Sequence, residues 1–321
     1  MRQMGLSVEH PEPEVRSGGA GLRDAADIEP DEAYFARLRS GFGACGVSLS
    51  IGPVGMRLEG LSREQAAWMA DVYRPFVIDA AESPDMTITL HPAGVDAFLR
   101  LPADGSAEIY RMGRRARGSR LHLWSYEFAG RVDSEPRRAA LALVSSAGPL
   151  FERGLENFLR VLTASIVVER GGFLLHGSGV VRRRRAYVFF GPSGSGKTTV
   201  THLCPHDTIL SDDLTLVVPH DGAYVAAGIP FGMAFHRVPE TRACFPIASL
   251  NRLVKSERVA RERLTGARAL AEVAGCLPFV MQEPQRAARA LAAAGRALRE
   301  VPVYRLRFRR DDSFWSVVQE S

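Results

Sequence analysis

The run AYVFFGPSGSGKTTV, residues 186–200, constrains the fold of this chain more than any other stretch. Its apolar start predicts a buried strand, the glycine-rich turn predicts a loop, and the residues from Lys197 predict a short helix. Gly191, Gly196, Lys197 and Thr198 fit the pattern G-x-x-x-x-G-K-[ST] in the strand, loop and helix context which that pattern requires. Glycines let successive backbone N–H groups turn inward on a phosphate, and the helix N-terminus adds positive potential at the same point. The residues Gly191, Pro192, Ser193, Gly194, Ser195, Gly196, Lys197, Thr198 and Thr199 are therefore expected to bind ATP. Lys197 would reach the β- and γ-phosphates, and the Thr198 hydroxyl would sit on Mg2+. The competing reading is a Gly/Ser-rich turn that happens to hold a lysine. Against it, Lys197 and Lys255 are the only lysines among 41 basic residues, and Lys197 stands where a compact point charge is needed.

Asp212 and Asp213 follow the apolar segment TIL, with room for only a short helix and one strand after Lys197. A parallel sheet would bring the loop and the end of that strand to one carboxyl edge. One carboxylate would then meet Mg2+, and the other would accept a proton from an incoming hydroxyl. We assign Asp213 to the metal and Asp212 to the base, a choice within the pair that the sequence does not decide. The competing reading of SDD is a cap or turn after a strand. His176, in LLHGSG, would on its own be read as a core histidine.

Around these residues the chain is expected to divide into a flexible leader (1–35), a strand-rich α+β domain (36–148), which the resemblance given below would make the part that presents a substrate, and an α/β phosphate-loop domain (149–321). In the first domain a helix is expected over 62–76, opened by a Ser62/Gln65 capping box, with strands over 85–90, 107–112 and 119–128. A helix over 154–170 would pack on the sheet of the second domain. Beyond residue 218 the alanine- and arginine-rich sequence reads as helical, closing with a strand over 301–308.

The net charge of +5 permits nucleic-acid contact, but the arginines are spread along the chain and not gathered in one stripe, so no nucleic-acid partner is expected. Cys45, Cys204, Cys244 and Cys276 have no paired metal or redox spacing, and no apolar run is long enough to span a membrane. The expected location is the cytoplasm, with no membrane partner. Arg237, Arg242 and Arg252 are candidates for clamping phosphates or substrate, against the ordinary reading of solvated surface, and Lys255 is given no role.

The segments LLHGSGVV, GPSGSGKTT and LSDDLTLVV, in this order, resemble the catalytic domain of HPr kinase/phosphorylase and its relatives over about residues 171–218. A weaker likeness runs to VPVYRLRFRRDDSFW. The resemblance implies a P-loop fold related to phosphoenolpyruvate carboxykinase and an ATP- and Mg2+-dependent kinase. In such a kinase His176 assists proton movement near the transferred phosphoryl group, and Lys197, Asp212 and Asp213 are catalytic. The implied acceptor is a serine of a small protein or peptide, either an HPr-like protein or a ribosomally made precursor. HPr kinases are homo-oligomers, and that assembly is open for this chain. Two other readings stand beside this one: an ATP-binding regulatory or adaptor protein without transfer, and a small-molecule kinase.

Overall fold

A computed structural model describes residues 29–79, 83–93, 112–231 and 241–319. Most of the expected leader, nearly all of the strand expected over 107–112, and Arg237 lie outside the described residues. The described residues form a mixed α/β structure with seven α-helices and two large sheets of eight strands each.

The first half of the chain opens with α1 (Glu32–Arg37), capped by the Asp31 carboxylate, which accepts from the backbone N–H of Tyr34. Two antiparallel strands follow, β1 (Cys45–Ile51) and β2 (Val54–Leu61). In β2 the period of two turns Val54, Met56 and Leu58 to the core. The Ser62/Gln65 capping box forms as expected and opens α2 (Arg63–Val72). The sheet is completed by β3 (Val77–Ile78), β4 (Met86–Pro92), β5 (Gly113–Arg117), β6 (Arg120–Trp124), β7 (Phe128–Asp133) and β8 (Arg138–Leu143), in the order β3-β1-β2-β4-β8-β7-β6-β5. The single strand expected over 119–128 is in fact the hairpin of β6 and β7. Its period-two alternation runs on into Tyr126 and so does not mark the turn. The turn is made by Ser125, whose N–H donates to Phe128 O and whose hydroxyl donates to the buried Glu127 carboxylate at 2.7 Å.

Helix α3 (Gly148–Glu169) starts at residue 148, ahead of the expected 154, and packs against both sheets, not one. Phe158 meets Phe128 edge-to-face at 5.7 Å, and its ring occupies the space that a side chain on Gly130 of β7 would need. Leu155, Leu162 and Ile166 belong to the same continuous core, which also takes in Phe173 and Leu216 of the second sheet. Because Phe158 is fully buried at this junction, Phe158→Ala is expected to lower stability by about 3–5 kcal/mol. Chemical denaturation would show it as a lower midpoint with the slope unchanged.

The second half begins with the hairpin β9 (Phe173–Arg182) and β10 (Arg185–Phe190), whose turn residues Arg183 and Arg184 both have positive φ. That is the primed turn that matches strand twist. It continues with α4 (Lys197–His202), β11 (Thr208–Ser211), β12 (Leu214–His220), β13 (Ala223–Ala227), β14 (Cys244–Lys255), β15 (Ala260–Leu264), α5 (Gly266–Ala274), α6 (Pro284–Glu300), β16 (Val303–Phe308) and α7 (Trp315–Val318). The region beyond residue 218 thus holds the three strands β13, β14 and β15 where helix was expected, together with the helices α5, α6 and α7.

The sheet is mixed, which corrects the expected parallel arrangement. Strands β10, β11 and β12 are all antiparallel to β9, whereas β14 is parallel to both β10 and β16. Pairing runs β10-β9-β12-β13-β14 and returns from β14 to β10, so these five strands close a ring, with β16 and β15 extending from β14. One face carries the main core. The other carries a second cluster, in which Tyr187 and Phe189 pack edge-to-face on Trp315, with Val200, Phe308 and Phe314 around them. Among the described residues no helix is long and apolar enough to cross a membrane.

Candidate functional site

Strand β9 brings the sequence elements together, because it changes partner along one edge and keeps its partner on the other. On one edge it pairs first with β12, His176 opposite Leu214, and then with β11, Gly179 opposite Ser211. On the other edge Gly177 stands opposite Phe190, the last residue before the glycine-rich loop. Asp212 and Asp213 fill the gap between β11 and β12, so what reads in sequence as one strand is interrupted at the acidic pair. Such interruptions re-aim side chains that a regular ladder would hold in the pleat. Ser211 shapes the gap, its hydroxyl accepting from the N–H groups of Asp213 (3.2 Å) and Leu214 (3.0 Å), and Asp213 O accepts from Gly177 N–H (2.8 Å). The acidic pair and the loop therefore flank one strand on opposite edges, two strand spacings or about 10 Å apart.

His176 Nε2 lies 3.0 Å from Asp213 Oδ1, and the backbone N–H of His176 donates to Cys276 O, two residues beyond α5 (2.8 Å). Burial pushes the Asp213 carboxyl up. The hydrogen bond from His176 and the charges of Arg160, His176 and Lys197 outweigh this and hold it below the usual carboxylate range. Asp212 is buried, at 6% exposure. Two residues that sequence reasoning missed stand behind the pair on α3. Arg160, buried, donates to Glu156, while burial pushes the Glu156 carboxyl up despite Arg160, and the neighbouring charges of Asp213 and Asp212 add to that rise. Their signal in the sequence was the pairing of Glu156 and Arg160 one helical turn apart on a helix otherwise read for its apolar face.

The loop runs from Gly191 to Gly196. Gly194 (φ +73°) and Gly196 (φ +107°) adopt backbone that side chains disfavour, and a Cβ on Gly196 would come within 2.6 Å of the Phe308 ring. Gly196→Ala is accordingly expected to cost about 1–3 kcal/mol, measured as a lower denaturation midpoint, and unchanged stability would contradict this packing. Lys197, 3% exposed, donates from Nζ to the carbonyls of Gly191 and Pro192, both at 3.2 Å. Its ammonium thus lies over the loop. The Ser195 hydroxyl is buried with no hydrogen-bond partner, and it lies 2.7 Å from the position a Cβ on Gly191 would take. A buried orphan hydroxyl over a glycine, beside a buried ammonium, fits an anion-binding loop. Thr198 and Thr199 open α4 next to it.

Among the described residues no group of three or more His, Cys, Asp or Glu side chains gathers as a metal site. The carboxylates of this site are Asp212 and Asp213, hard oxygen donors that fit a cation completed by phosphate oxygens and water, as Mg2+ commonly is.

Arg252, expected on solvated surface, is instead partly buried on β14 opposite Phe190 and donates to Glu272 on α5. Arg242 and Lys255 are exposed.

Fold and site together define a mixed α/β protein with a glycine-rich strand, loop and helix junction facing a His–Asp pair across one strand. The family model described as "SynChlorMet cassette protein ScmC" matches residues 157–321, more than half of the chain, and the protein belongs to that family. This corrects the resemblance drawn from the motifs: the family is ScmC and not an HPr kinase family. The motifs behind that resemblance cover only about residues 171–218, and they encode a local chemistry that different families can share. No curated protein matches the chain.

Proposed function

We propose that this protein is an ATP- and Mg2+-dependent phosphotransferase that moves the γ-phosphoryl group of ATP to a serine hydroxyl of a small protein or peptide. The observation that carries this reading is the acidic pair at the strand interruption, with Asp213 tied to His176, across one strand from a loop holding a buried lysine. A protein that merely holds a nucleotide has no need of two carboxylates there, which argues against the adaptor reading.

In this reading the loop N–H groups, Ser195 and Lys197 hold the triphosphate, and Thr198 with Asp213 holds Mg2+. The metal supplies neutralisation of charge on the phosphate oxygens. The serine oxygen forms a bond to the γ-phosphorus as the bond to the β,γ-bridging oxygen breaks. ADP leaves, and the serine proton passes to Asp212. The division of labour in the acidic pair has support from electrostatics. A carboxylate held below its usual range, as Asp213 is, suits a metal and a histidine N–H better than it suits a proton. His176, its ring held by Asp213 and its backbone N–H by Cys276 O, assists proton movement beside the acceptor.

The fold reading that accompanies this function is a phosphate-loop domain of the carboxykinase kind, supported by the loop leaving β10 inside a mixed sheet. The protein then works in the cytoplasm on a soluble partner, a reading that the absence of paired cysteine spacing supports.

The test is to incubate the purified chain with γ-labelled ATP, Mg2+ and the small proteins and peptides encoded beside its gene, a search to which the family's description as a cassette protein points. Label on a partner's serine, absent with Lys197→Ala and with Asp212→Ala, is the expected result. Tight ATP binding with no transfer to any candidate would instead favour the adaptor.

A further inference from the structure

The first residue of the loop has a neighbour that the motif does not include. Phe190 and Arg252 stand opposite each other on the parallel strands β10 and β14, so Gly191 leaves the sheet beside Arg252. A Cβ on Gly191 would lie 2.9 Å from Arg252 Nη1 and 2.7 Å from the orphan hydroxyl of Ser195. The bare α-carbon therefore leaves open a small cradle with a buried, unpartnered hydroxyl on one side and a guanidinium on the other.

That guanidinium is held in place. Arg252 Nε donates to Glu272 Oε2 (2.9 Å) and Nη1 donates to Leu253 O (2.6 Å), while Arg305 Nη2 donates to the other oxygen, Glu272 Oε1 (2.9 Å). One carboxylate is shared by two guanidinium groups, and Arg305 has a second partner in Glu262 (Nη1 to Oε2, 3.6 Å). The remaining N–H groups of Arg252 have no partner among the described residues. Lys197 belongs to the same surroundings: burial pushes the Cys276 thiol up, and Arg252 and Lys197 both draw it down.

We propose that Arg252 is a phosphate-binding residue of this site, a second cation beside Lys197 that contacts the phosphates of a nucleoside triphosphate held by the loop. This rests on the reading of the loop as a nucleotide site. A guanidinium fixed at Nε keeps its terminal N–H groups in a planar fork that matches phosphate oxygens, and the fixing removes the entropy cost of ordering a long side chain at binding. If the role of Arg252 were only to pair with Glu272, its loss would be felt by any bound nucleotide alike, whatever its number of phosphates.

The experiment compares Mg2+-ATP and AMP binding to the full chain by calorimetry in wild type and Arg252→Gln. The expected result is that ATP affinity falls about 10- to 100-fold while AMP affinity changes less than about threefold. ATP bound by the variant as by wild type, or ATP and AMP weakened by the same factor, would overturn the proposal. If Arg252→Gln does not fold, Arg252→Lys carries the same comparison, because it keeps the stem and charge but not the fork. A loss of about 3- to 10-fold confined to ATP supports the proposal, and no selective loss overturns it. Wild-type protein that fails to bind ATP would remove the nucleotide reading itself, and the proposal with it, an outcome distinct from any behaviour of the variants.

Discussion

Lys197→Ala is expected to reduce phosphoryl transfer about a hundred- to a thousandfold in kcat/KM while leaving the fold intact. The transfer term follows from where the charge sits. Lys197 is nearly fully buried, so its ammonium acts in a medium where water screens little, and a preorganised donor lost at developing phosphate charge costs factors of that size. The fold term is small for a separate reason. In the described structure the ammonium donates to the carbonyls of Gly191 and Pro192, and the net worth of such bonds is about 1 kcal/mol each. The long apolar stem adds some packing, so a drop of a few degrees in Tm is expected, with circular dichroism unchanged. Lys197→Arg should not restore transfer. A planar fork of different reach does not occupy the place of a compact ammonium folded over a six-residue turn. Transfer at wild-type rate by Lys197→Ala would sink the kinase reading, because the one other lysine of the chain, Lys255, is exposed at the end of β14.

How much of this site was legible in the sequence depended on how local each feature was. The strand, loop and helix around Lys197 could be read directly, since glycine spacing, an apolar strand and a helix start are set by neighbours along the chain. The acidic pair was legible as a pair, but its setting was not. A parallel sheet was expected, whereas the structure puts β9 between the loop and the pair, and this depends on strand register, which a linear pattern does not carry. The same register makes the contact of His176 with Asp213. Spacing alone gave a histidine in an apolar strand.

Arg252 was hidden for a different reason. Its stretch, RLVKSER, reads as a basic surface run, and only the parallel pairing of β14 with β10 turns that arginine toward the loop and α5. Arg160 and Glu156 were hidden because the apolar face of α3 dominated its reading, although that helix buries residues almost all round between the two sheets. The family assignment went astray because short motifs report what a site handles more reliably than which lineage built it.

The acidic pair yields the second large effect, and the two aspartates should fail in different ways. If Asp212 is the proton acceptor of the proposed transfer, Asp212→Asn removes it while keeping shape, so kcat should fall about 10^2- to 10^4-fold with little change in the KM for ATP. Added Mg2+ should not recover the rate. In the same reading Asp213→Asn removes the charge proposed to hold Mg2+, and it weakens the anchor of His176, whose Nε2 lies 3.0 Å from the carboxylate. Its loss should appear chiefly as a higher Mg2+ requirement, and raising Mg2+ about tenfold should recover part of the activity. Titrating Mg2+ in transfer assays of both variants separates these behaviours. The reverse pattern, with Mg2+ rescuing Asp212→Asn and not Asp213→Asn, would exchange the two roles. Rescue of both, with equal loss in both, would mean that the pair acts as one metal-binding unit and that the proton leaves by another route, for which His176 is the residue already in place.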